Sequence, residues 1–155
     1  MSTAGSWRKP HYLAVRPSDG ALILPFEGTR LAVVDPVDGR TTVEPMTART
    51  HQHGVTIGND GTLYVVGTGP VDPGTEAGPS LTIRRPDGHE WVIPLQGPHE
   101  NVTIAPDGRT AYVTGGYTRD GYWDGISVVD LGSGSVARLP VGHRPLGAVA
   151  LPHGA

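Results

Sequence analysis

The chain has no cysteine, a single phenylalanine and a single lysine among 155 residues, and no apolar run approaching a bilayer span. Without cysteine there is no disulfide frame, no thiolate metal site and no thiol nucleophile. The 12 basic and 15 acidic residues leave a net charge of −3 and form no basic cluster. A phosphate-neutralising surface is therefore missing, and nucleic acid is not an expected partner. A spanning helix needs about 18 consecutive apolar residues, so no membrane partner is expected either. The opening stretch MSTAGSWRKP lacks the apolar core of a signal peptide, which makes the cytoplasm the expected location. Helical periodicity is missing too, and 15 prolines would interrupt most helices.

What is abundant is glycine, 23 residues of it, placed with the prolines between short β-branched and aliphatic runs. That arrangement argues for strands joined by tight turns rather than for disorder. The turns recur. Asp19-Gly20, Asp60-Gly61 and Asp107-Gly108 lie 41 and 47 residues apart, and His153-Gly154 follows 46 residues later. A period of about 40–45 residues with four short strands is that of a β-propeller blade. The predicted strands are 12–17, 21–26, 30–35 and 40–44 in the first unit, and 54–57, 62–66, 80–84 and 90–95 in the second. The third unit has 101–105, 110–114, 125–131 and 135–139.

The expectation is a single all-β domain over residues 1–155, with blades at about 10–49, 50–96 and 97–142 and an extra strand at 146–151. Three blades and one strand leave open edges, which a propeller avoids only by closing its ring. A homodimer forming a six-bladed ring, with each extra strand pairing across the seam, is the expected solution. A fragment of a longer propeller is the alternative.

The run Ala105-Pro106-Asp107-Gly108-Arg109-Thr110-Ala111-Tyr112-Val113-Thr114 resembles the YVTN-repeat family of β-propellers, with Gly115 where that family has asparagine. Ile126-Ser127-Val128-Val129-Asp130 and Val141-Gly142-His143-Arg144-Pro145 resemble its third strand and interblade link. The match is weakest at Pro25-Phe26-Glu27. The resemblance implies the propeller fold. Because related propellers include lactonases and metal-dependent lyases, it also implies hydrolysis, elimination or cyclisation rather than redox chemistry.

Aligning the inner strands puts His11, His53 and Glu100 at equivalent positions, with His51 two residues before His53 and His99 just before Glu100. Four histidines and a glutamate are thus expected around the channel mouth. Neutral imidazoles and a carboxylate are a ligand set for Zn, Fe, Ni or Cu, so one divalent transition metal held by His11, His51, His53, His99 and Glu100 is one expectation. His53, His99 and Glu100 are the candidate acid/base groups, with or without metal. A polar channel lining with no ion is the plainer alternative. The two longest insertions, 67–79 and 115–124, join second to third strands on the same rim. The later one gathers Tyr117, Arg119, Tyr122 and Trp123, candidates for contacting a small organic ligand or, equally, for a dimer contact. The expected function is a small propeller enzyme, and a non-catalytic module that binds a ligand or protein through its rim is the alternative. His89 and His153 are expected on the opposite face, and the Asp-Gly pairs are expected to be turn formers rather than carboxylate dyads.

Overall fold

The computed structural model describes residues 12–26, 30–48, 50–70, 77–115, 117–118, 121–142 and 145–151. Among them every regular element is a strand. The first sheet holds β1 (Ala14–Val15), β2 (Leu22–Phe26), β3 (Arg30–Val34) and β4 (Thr41–Pro45). The second holds β5 (Thr50–Ile57), β6 (Leu63–Pro70), β7 (Ser80–Arg84) and β8 (Glu90–Pro94). The third is built from β9 (Asn101–Ile104), β10 (Thr110–Thr114), β13 (Ile126–Asp130) and β14 (Val136–Leu139). Between its middle strands, β11 (Tyr117–Thr118) and β12 (Gly121–Tyr122) make a small separate hairpin. Each four-stranded sheet is antiparallel with its strands side by side in chain order. The result is a propeller-like all-β fold.

The Asp-Gly pairs do what short hairpins require. In the turns at Asp19, Asp38, Asp60, Asp87 and Asp107, Oδ1 accepts the N–H two residues on. The following glycine supplies positive φ, as at Gly61 (82°) and Gly108 (69°), which a side chain would make costly.

Strand alternation then sorts the side chains into two seams. Leu63 and Val65 of β6 join Ile23, Leu31 and Met46 between the first and second sheets. Tyr64 and Val66, on the other face of β6, join Leu81, Ile83, Val102, Val113 and Val129 between the second and third. The second sheet is therefore covered on both faces, and the flanking sheets on one face each. Arg84 ties the first seam at its edge, binding Glu90 at 2.6 Å and Glu44 at 3.0 Å.

Three expected boundaries change. The inner strand of the second unit begins at Thr50 rather than Gly54, and its partner runs on to Pro70, so 67–70 is strand and not loop. The first inner strand is only two residues long. Among the described residues, 146–151 form no backbone ladder within the chain, and the expected strand there is one that pairs across the seam with a second copy. They lie beside β9, where Asn101 Nδ2 donates to the Leu146 carbonyl at 2.6 Å and Thr103 Oγ1 to that of Ala148 at 2.7 Å.

Candidate functional site

The rim where β5 and β9 begin carries most of the expected site residues. His51, Gln52 and His53 lie within β5, which begins earlier than expected, and are buried. The ladder explains their placement. Gln52 pairs with Gly67 but Val55 with Val65, so β5 carries an extra residue at His53–Gly54. Counted from the turn-closing residues Thr62 and Thr110, Gly67 and Gly115 are both five residues on, and Gly115 stands against Glu100. Gln52, not His53, is thus the counterpart of Glu100. The bulge also interrupts the alternation that would put His51 and His53 on one side of the strand. Both atoms of the Gln52 amide are buried with no hydrogen-bond partner among the described residues.

The second and third sheets meet closely here. A Cβ on Gly54 would fall inside van der Waals contact of the Glu100 carbonyl, and one on Gly115 would lie 2.6 Å from the Glu100 nitrogen. Glycine at position 54 lets the bulged strand press against the start of β9, and glycine at 115 makes room for Glu100 within the third sheet. Glu100 is half-buried, and Tyr12, just before β1, donates its hydroxyl to Glu100 Oε2 at 3.3 Å. First and third sheets are joined by this contact. Burial first, and the Glu100 carboxylate second, raise the Tyr12 hydroxyl above its ordinary value, while Asn101 lowers it.

His99, next to Glu100 in sequence, has a different environment. Its ring is fully buried, with Nδ1 2.6 Å from the Gly97 carbonyl and Nε2 2.9 Å from Ser127 Oγ. A carbonyl only accepts, so Nδ1 carries the proton and Ser127 donates to Nε2. Burial depresses the imidazole to about 4, although the bond to Gly97 opposes this. Coordinating an ion through either nitrogen would require breaking one of these bonds.

Trp123 caps the same seam. Its indole lies on Gly97, where a Cβ would collide with the ring, and its centroid is 6.0 Å from that of His99. The Arg138 guanidinium covers the indole at 4.7 Å, and its Nε donates to the Asp124 carbonyl at 2.9 Å. The structure thus places Trp123 as a plug between sheets, while Tyr122 on β12 is exposed. Tyr117 lies opposite Tyr122 in the β11–β12 ladder. The side chain of Tyr117, together with His11 and Arg119, lies outside the described residues. Among the described residues, no three His, Asp or Glu side chains are grouped to hold one metal ion.

Sequence reasoning missed Tyr12, Asn101 and Ser127 as partners of the rim. Ser127 had no signal in the sequence, because its pairing with His99 is a packing contact across 28 residues.

No family model matches the chain, and no curated protein does. Among solved structures, hydrazine synthase from Kuenenia stuttgartiensis is similar with a TM-score of 0.68 and 22% identity, over 94% of this chain and 40% of that one. At that identity the likeness is one of fold. The chain spans well under half the length of the structure it matches. Among the described residues no helix is long and apolar enough to cross a membrane.

Proposed function

We propose that this chain holds a small polar organic molecule at the rim where Glu100 and Tyr12 meet. The observation that supports this is their hydrogen bond, a half-buried carboxylate and a phenol brought together from two sheets and 88 residues apart. A ligand hydroxyl or amine would replace Tyr12 as donor to Glu100, with Asn101 beside it as a further hydrogen-bonding group. The YVTN-like repeats extend the reading to turnover by hydrolysis, elimination or cyclisation in a cytoplasmic enzyme. Glu100 is then the group that accepts and returns a proton. A rim that binds without turnover uses the same groups.

A metal-assisted version is favoured by one observation, two histidines buried in a single strand that presses on Glu100. A divalent Zn, Fe, Ni or Cu ion would draw on His51, His53 and Glu100, with His11 as a further ligand, and would polarise a substrate oxygen or activate water. His99 fits such a set poorly, because its two nitrogens already bond Gly97 and Ser127.

The test is a small-molecule library followed by thermal shift, repeated on Glu100→Gln and Tyr12→Phe. A hydrogen bond to a charged group contributes about 1.5–3 kcal/mol, so Glu100→Gln should weaken true ligands by roughly 10- to 100-fold. Ligands that bind both variants unchanged would place the site elsewhere. Metal content lost on His53→Ala would select the metal-assisted version.

A further inference from the structure

We infer that a second copy of this chain covers the outer faces of the first and third sheets, head to tail, through two equivalent seams. The argument begins from the middle sheet, whose two faces are both closed by a neighbouring sheet. Each flanking sheet is covered on one face only, and its uncovered face carries apolar rows across its middle. On the first sheet the ladder aligns Val15 with Leu22 and Val34, and Leu24 with Ala32 and Val43, all pointing away from the second sheet. On the third it aligns Tyr112 with Val128 and Ala137, and Ile126 with Leu139. Arg30, between Phe26 and Pro45, and Asp130, opposite Thr110, stand at the ends of these faces and leave the named rows uncharged.

The described large hydrophobic residues that are exposed concentrate on these faces. Seven of the ten are Leu13, Val15 and Val43 at the first sheet, Leu139 at the third, and Leu146, Val149 and Leu151 on the segment beside β9. Asn101 and Thr103 stand on the uncovered face of the third sheet and hold that segment there, so its apolar side chains extend the same surface. Within the chain, such a face is covered by another sheet of the same build. The two uncovered faces differ and lie at opposite ends of the stack. One copy's first sheet therefore meets the other's third, and a two-fold repeat of that contact closes both. Burying these rows removes open apolar surface that a monomer would leave in water.

The experiment is mass in solution, by light scattering or sedimentation, on the full chain and three exposed-site variants. Val43→Lys alters the first-sheet face and Val149→Lys the segment on the third, and both residues are exposed, at 45% and 84%. Val37→Lys changes a residue that is 93% exposed in a turn outside these faces. The expected result is twice the chain mass of 16.2 kDa for the native chain and for Val37→Lys. Val43→Lys and Val149→Lys should each run as monomers at the same concentration, with far-ultraviolet circular dichroism unchanged to show that the sheets persist. A monomeric native chain, a mass other than two chains, or seam variants that stay dimeric would overturn the inference.

Discussion

Protonating His99 should destabilise this protein, because its buried ring is bonded as the neutral imidazole between Gly97 and Ser127. In the unfolded chain the imidazole titrates near 6.5, while burial lowers the folded value to about 4. Between those values the unfolded state binds the extra proton, so stability is full above pH 6.5 and is lost as pH falls toward 4. The linkage relation gives a loss of about 2 kcal/mol between pH 7 and pH 5, and about 3 kcal/mol once pH is below the folded value. The assay is urea unfolding at pH 7 and pH 5, at fixed protein concentration, for the native chain and for His99→Gln. The variant removes this titration alone, so the difference of differences isolates His99. The native chain should lose about 2 kcal/mol more than the variant over that interval. Equal losses would show that the ring is not held neutral by Gly97 and Ser127, and the account of the seam would fail.

Two further substitutions test the packing. Gly97→Ala puts a methyl group into the Trp123 ring and should cost about 1–3 kcal/mol in a thermal or urea melt, with the seam between second and third sheets opened. Arg84→Met leaves Glu90 buried without its cation and should cost about 3 kcal/mol at pH 7. Burial opposes the lowering of Glu90, but bonds from Thr47 and Arg84 keep its carboxyl below the ordinary value of 4.5. The native chain's advantage over Arg84→Met should therefore shrink as pH falls below that value.

The sheets were legible because their turns are local chemistry. An aspartate that bonds two residues ahead and a glycine with positive φ need no tertiary context, so the hairpins at Asp19, Asp60 and Asp107 could be read from the chain alone. The bulge at His53–Gly54 could not, since an extra residue in a strand shows only when its partner is known. Gly67, Gly69 and Pro70 have the composition of a loop, yet they pair as strand because Gly67 makes room for the Thr50 side chain. The aligned inner strands put His99 at the rim, and the long loop before β13 put Trp123 there as a ligand or dimer contact. Their burial comes from Gly97, whose missing side chain admits the indole, and from Ser127, whose place opposite Val113 turns it into the seam. Tyr12 was passed over because its role depends on a contact between the first and third sheets.

The most direct test of the Glu100–Tyr12 site is a calorimetric titration of the best library ligand into the native chain, Glu100→Gln and Tyr12→Phe at pH 7. The account predicts a Kd roughly 10- to 100-fold weaker for Glu100→Gln, with a smaller change of either sign for Tyr12→Phe because the ligand displaces that hydroxyl. An unchanged Kd in Glu100→Gln would contradict it.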